Sequence, residues 1–254
     1  MKSWYNNSFD DTVATSATSS KADIDWMIRN KLHPTELQYV NLYISDSLVK
    51  HVNFPGLVSY AFQNGIRMGR AYSAISEIDT MMTYNASRLN INEKLWFAVT
   101  EMEPYNTGDY VGMTSKIQTV YPILKAAGLR HAVYMGWPSD TYWSTIVANC
   151  DEINLHCYRP SASITPSGTY GYVSGRLQLI ADACKVQNKI MPVNLIYSCE
   201  PSFSYDYFKT NPWNAAHNLF LSQYAANATV NMKSYLMVND FSIFVTKYAK
   251  EIKP

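Results

Sequence analysis

Apolar, β-prone runs alternate with stretches of helical spacing about eight times along this chain, and few folds accommodate that pattern. Strands are expected at Leu37–Ile44, Ile66–Tyr72, Leu95–Val99, Leu129–Met135, Glu152–Tyr158, Ile190–Tyr197 and Tyr235–Asn239. Between and after them, helical spacing covers Ala22–Lys31, Leu57–Asn64, Ser76–Leu89, Gly112–Ala127, Ser139–Ala148, Val173–Val186, a helix from Asn211-Pro212 to Ala226, and Phe241–Ile252. Ser20 or Asp23 serves as the first cap, and Gly65 and Gly128 stand where a left-handed residue closes a helix. Residues 1–20 are polar and irregular, with a weak first strand at Asp11–Thr15. Strands joined through helices pair in parallel. At 254 residues the expectation is one domain, 1–254, folded as a (β/α)8 TIM barrel with a weak or degenerate first strand. An open doubly wound sheet is the alternative, but no glycine-rich phosphate loop follows any strand.

The chemistry concentrates in Lys94–Asn106. Leu95 to Val99 is apolar enough for a strand buried on both faces, and the character changes at Glu101, Glu103 and Pro104. Side chains alternate along a strand, so Glu101 and Glu103 share one side, roughly 7 Å apart. Pro104 cannot donate to a ladder and ends the strand. Two surfaced, solvated acids would give the same pattern. Polar and aromatic residues, however, gather after several strands: Glu101, Glu103, Tyr105, Trp137, His156, Tyr158, Arg159, Glu200 and Asp240. In a barrel that is the face on which active sites are built.

The net charge of +1 offers no electrostatic case for nucleic acid or an acidic membrane surface. No apolar run approaches the ~20 residues of a membrane span. The N-terminus has no apolar signal core, so the chain stays inside the cell or begins after a removed leader, which would place it outside the cytoplasm. Cys150, Cys157, Cys184 and Cys199 lack metal-binding or redox spacing, and no metal or cofactor is expected. Twenty Tyr and six Trp, against 16% charged residues, suit a carbohydrate cleft as well as a large core.

Counting the weak first strand, Glu103-Pro104 ends the fourth, Ile153–Tyr158 is the sixth and Lys189–Tyr197 the seventh. With these residues the chain resembles the family 18 glycoside hydrolases, the chitinases and endo-β-N-acetylglucosaminidases. Glu103 falls on the catalytic acid of their D-x-x-D-x-D-x-E strand. Asn154 and Tyr158 match I-N-x-M-x-Y-D, and Lys189, Ile190 and Tyr197 match K-I-x-x-G-x-P-x-Y. The resemblance implies an N-acetylglucosamine-containing substrate whose own acetamide attacks C1, with Tyr158 holding that group. Glu101 stands where the family has Asp, and its extra methylene displaces the carboxylate by about an ångström. Val99 replaces another Asp, Arg159 replaces the one after the sixth-strand tyrosine, and the eighth-strand tryptophan is absent.

A second resemblance is to the clan A retaining glycosidases. There Glu103 would be the acid/base and Glu200 the nucleophile, ~5 Å apart, with His156-Cys-Tyr158 on the sixth strand. Met102 stands where that clan has Asn. The third reading is a non-catalytic glycan-binding barrel. Substrate contacts under these readings are Tyr105, Trp137, His156, Arg159, Tyr197, Glu200 and Asp240. His156 equally suits a hydrogen-bonded interior, and Trp137 a loop anchor. Arg159 suits either neutralisation of Glu103 or an acidic substrate. Three N-x-[ST] sequons, at Asn6, Asn85 and Asn227, carry little information in an Asn/Ser-rich chain.

Overall fold

The computed structural model describes residues 3–6, 17–30, 38–101, 108–138, 140–245 and 247–253. Nine strands are present among them: β1 Ser3–Asn6, β2 Gln38–Leu42, β3 Ile66–Tyr72, β4 Phe97–Thr100, β5 Arg130–Met135, β6 Glu152–His156, β7 Met191–Ser198, β8 Leu236–Met237 and β9 Phe241–Val245. The pairing runs in parallel from β1 through β7 to β9, and β9 pairs in turn with β1. Two-residue β8 extends β7 at its start. The sheet therefore curls into an α/β barrel-like fold.

Helices cover its outside: α1 Ala17–Arg29, α2 Asp46–Val49, α3 Phe54–Gln63, α4 Ile75–Ala86, α5 Tyr110–Ala126, α6 Trp143–Ala148, α7 Pro166–Val186, α8 Tyr205–Thr210, α9 Ala215–Asn227, α10 Val230–Tyr235 and α11 Lys247–Ile252. Gly65 and Gly128 have positive φ, 78° and 70°, as left-handed helix terminators. Asn85 on α4 brackets the approach to β4, its amide donating to Leu95 O and accepting from Leu95 N, both at 2.9 Å. That buried, doubly bonded amide is unavailable as a glycosylation acceptor.

Strand alternation divides the core in two. Outward residues such as Val40, Met68, Ala98, Val133, Leu155 and Leu195 pack beneath the helices. Inward residues Phe97, Val99, Ala132, Tyr134 and Ile196 form a separate cluster, flanked by Tyr39, Tyr43, Tyr158 and Phe244. A polar band crosses the same interior, where Asn194 donates to Asn154 (2.8 Å) and to Ser242 (2.6 Å). Gly69 on β3 leaves the space that the Phe97 ring occupies, and a Cβ there would lie 2.2 Å from that ring.

Arg70, outward on β3 and fully buried, ties two loops to the strand ends. It donates to Asp46 (2.5 Å) and Ile44 O after β2, and to Glu77 O on α4. A carboxylate and two carbonyls compensate the terminal nitrogens of this buried guanidinium, while its Nε has no hydrogen-bond partner among the described residues. The four cysteines are buried and unpaired.

The structure corrects several sequence expectations. Phe241–Ile252 is not one helix: β9 occupies Phe241–Val245 and α11 follows. Phe241 and Ile243 face the helices while Ser242 is inside, which is a strand period rather than a helical one. Tyr235–Asn239 contributes only the two residues of β8. The helix expected from Asn211-Pro212 begins only at Ala215 as α9, with Asn214 at the N-cap position but making no side-chain cap bond, and α8 occupies Tyr205–Thr210 in the stretch read as loop before it. The helix α7 starts at Pro166 rather than Val173, with Thr165 accepting from Gly168 N as its cap. The first strand is Ser3–Asn6, whereas Asp11–Thr15 and Ser139 lie outside the described residues. Ser20 and Asp23 fall inside α1 rather than before it.

Filling the Gly69 space should cost stability: Gly69→Ala is expected to lower thermal stability by about 1–3 kcal/mol through overpacking. Adding Phe97→Leu should recover part of that loss in thermal melts.

Candidate active site

The C-terminal ends of the strands open on one mouth. Glu101 follows β4 directly, its N–H bonded to Tyr72 O at 2.7 Å. By strand parity it continues the inward line Phe97, Val99, Glu101. Tyr43, on the inward line of β2, donates its hydroxyl to Glu101 Oε2 at 2.5 Å. These two residues, with Ser45, Tyr72, Ser73 and Glu77, line a cavity of about 260 Å³ at the ends of β2, β3 and β4. Larger cavities lie elsewhere, one of about 530 Å³ among the helices around His51 and Arg88, another beneath Leu95 and Trp96. Neither touches the strand ends that carry the acids.

Across the mouth stands an aromatic wall. Tyr158, two residues past β6, packs its ring on His156 (3.9 Å between centroids), Phe203 (5.3 Å) and Phe244 (6.0 Å). Tyr43 meets Phe244 edge-on at 6.4 Å. The ring of His156 also lies 3.4 Å from Tyr172 Oη through Nδ1. Burial, with help from the Arg176 charge, pulls the His156 pKa down to about 4. The imidazole is therefore neutral at ordinary pH. Such a ring donates and accepts hydrogen bonds and adds no positive charge to the mouth.

Glu200, half-buried just beyond β7, accepts from Ser198 Oγ at 3.0 Å. Its carbonyl receives Phe203 N and Tyr205 N, which folds the following turn back over the strand end. Trp137 follows β5 and is 47% exposed. Arg159 lays its guanidinium over the Tyr172 ring at 4.8 Å.

Glu101, Trp137, His156, Tyr158, Arg159 and Glu200 thus all occupy the C-terminal ends of β4 to β7. Glu103, Pro104 and Tyr105 lie outside the described residues. Two expected contacts are placed elsewhere. Tyr197 is fully buried on the helix side of β7, packed on His217 and Phe241, because its parity is opposite to that of Ile196 and Ser198. Asp240 lies in the short link between β8 and β9, at the start of β9, and its carbonyl accepts from Leu195 N in mid-β7. Its charge helps raise the pKa of buried Glu152, whose upward shift is due first to burial; Glu152 is the first residue of β6, at the far end of the barrel. The misplacement follows from reading β9 as helix.

Sequence reasoning passed over Tyr43, Tyr172, Arg176, Phe203 and Phe244. Tyr43 continues the Tyr39, Asn41 alternation one step past β2. Arg176 was detectable as a cation on the buried stripe Val173, Leu177, Ile180 of α7. Among the described residues no cluster of His, Cys, Asp and Glu could hold a metal ion, and no helix is long and apolar enough to cross a membrane.

No family model matches the chain, and no curated protein matches it by sequence. Solved structures do match in fold. An active-site mutant of the Rhizomucor miehei β-1,3-glucanosyltransferase, in complex with laminaritriose, superposes with a TM-score of 0.58 at 14% identity, covering 98% of this chain and 89% of that one. An engineered protein gives a TM-score of 0.53 at 11% identity, covering 96% of this chain and 63% of its own. At such identities the likeness is one of fold, and the barrel of a carbohydrate-active enzyme is among the folds this chain is similar to.

The buried histidines predict a pH response. Burial depresses both His131 and His156 to about 4 from an ordinary value near 6.5. The unfolded chain therefore binds more protons between those values, and stability falls as pH drops from 6.5 towards 4. His131, against Tyr72 Oη at 2.8 Å, should account for on the order of 2–3 kcal/mol of that loss. His131→Gln is expected to flatten the pH dependence of the melting temperature, and the NMR titration of His156 should show a midpoint near 4.

Proposed function

We propose that this chain is a divergent (β/α)8 barrel that cleaves or transfers glycosyl groups of β-linked glycans by a retaining, two-carboxylate reaction. One observation carries the reading: acids follow β4 and β7 at the same mouth, facing a wall of Tyr158, Phe203 and Phe244. Glu103, two residues beyond Glu101 in the sequence, takes the part of acid/base, protonating the leaving oxygen. Glu200 takes the part of nucleophile. The Ser198 hydroxyl donates to its carboxylate at 3.0 Å and orients it at the strand end, as a nucleophilic carboxylate needs. Glu101 is engaged by Tyr43 and shapes the cavity beside the reacting centre. The fold likeness to a β-1,3-glucanosyltransferase supports trying β-1,3-glucans first.

A second reading keeps the substrate-assisted chemistry of N-acetylglucosaminidases. What favours it is Glu101, which continues the inward parity of β4 just past its end, with Tyr158 just past the end of β6. What weighs against it is Val99, buried in the apolar interior where that chemistry has an acid.

The two differ in their need for Glu200. Under the retaining reading, Glu103→Gln and Glu200→Ala each lower kcat/KM on laminari-oligosaccharides by about 10³-fold or more. Azide should then restore turnover of an activated glycoside by Glu200→Ala through a glycosyl azide. Turnover of chito-oligosaccharides that survives Glu200→Ala but not Glu101→Gln would establish the substrate-assisted alternative. Binding without turnover of any glycan would leave a sugar-binding barrel.

A further inference from the structure

The rim after β5 holds a side chain whose setting the catalytic reading does not use. Trp137 is large, apolar and nearly half exposed, yet it is held on several sides. The guanidinium of Arg176 lies 3.9 Å from the centre of its ring, and Tyr172 meets it edge-on at 5.4 Å and 84°. Its carbonyl accepts from Tyr110 Oη at 3.1 Å, and buried Pro138 follows it. Tyr110 is itself stacked on Tyr142 at 5.3 Å and 14°.

Arg176 is an unusual support. It is 4% exposed, donates to Gly136 O (3.0 Å) and Tyr172 O (3.1 Å), and leaves its buried Nε without a hydrogen bond among the described residues. No carboxylate pairs with it there. Burial lowers its pKa to about 10, a measure of how unfavourable the site is for a cation. A loop anchor does not require this; an apolar side chain beneath Trp137 would anchor it at lower cost. What the cation supplies is a flat, electron-poor partner for one ring face, fixing the indole plane while the rest of the ring meets solvent.

We infer that Trp137 is the floor of a sugar-stacking subsite at the rim after β5, and that Arg176 is the residue that positions it. The ligand class is a pyranose with equatorial substituents, as in β-linked glucans, whose flat C–H face suits an open indole face. The inference deepens the glycan reading of the mouth and rests on it. Lying beside that mouth, the subsite takes a sugar unit beyond those at the reacting centre, so its contribution grows with the length of the oligosaccharide.

Calorimetric titration of the Glu103→Gln protein with laminaribiose and laminarihexaose tests this. Trp137→Ala should weaken hexaose binding about tenfold, while Trp137→Phe, which keeps a ring face, stays within about threefold. Arg176→Lys, which keeps the charge and loses the plane, should weaken the hexaose and leave the biose unchanged, a split that general loss of structure would not produce. As a second readout, hexaose should change the tryptophan fluorescence of the parent and not of Trp137→Phe. Hexaose binding unaltered by Trp137→Ala, or absent altogether, overturns the inference. Turnover with Trp137-independent binding overturns the subsite alone. Trp137-dependent binding without turnover upholds the subsite and removes the catalytic reading.

Discussion

A strand flanked by strands on both edges, with a packed interior on one face and helices on the other, has almost no polar freedom along its length. Chemistry is then confined to its ends. β4 illustrates the constraint: Phe97 to Thr100 is fully buried, and the first carboxylate appears only at Glu101. β6 and β7 obey it too, with Tyr158 and Glu200 emerging just past their last paired residues. Parallel pairing sends all those ends in one direction, so residues a hundred positions apart in sequence reach a common mouth.

Beneath that mouth the interior is layered rather than uniformly apolar. The cluster of Phe97, Val99, Tyr134 and Ile196 fills the interior beneath the strand ends with buried apolar side chains. The polar band ties β6, β7 and β9 together through Asn194 Nδ2, which donates to Asn154 and Ser242, while Asn194 Oδ1 and Asn154 Nδ2 lack partners among the described residues. Buried Arg70 does similar work at the rim, where two loops meet the strand ends through one guanidinium. Both devices hold the strand ends, and hence the acids, in a single arrangement.

Much of this was legible in the sequence. Ile66–Tyr72 was read at its observed bounds, because a seven-residue β-prone run after a glycine has one plausible state. The convergence of Glu101, Trp137, Tyr158 and Glu200 followed from element order alone. What escaped had physical causes. Phe241-Ser-Ile-Phe-Val joins a helical stretch without a breaker, so the last barrel strand was absorbed into a helix and Asp240 was carried to the wrong end. Ser3–Asn6 is four residues long and its strand state comes from pairing with β2 and β9, which no local pattern reveals. Tyr197 was assigned by motif position, although the parity of β7 sends it outward. Arg176 was lost among the residues of a helix, since the ring it covers, Trp137, lies far back in the sequence, after β5.

The central claim is that the acids after β4 and β7 serve one retaining reaction. It is tested most directly by trapping the glycosyl-enzyme with a 2-deoxy-2-fluoro-β-laminaribiosyl fluoride and mapping the labelled peptide by mass spectrometry. The fluorine slows both steps, and a good leaving group lets the covalent intermediate accumulate. A single adduct on Glu200 is the predicted result. An adduct on another carboxylate, or no adduct from an enzyme that turns over the natural oligosaccharide, would contradict it.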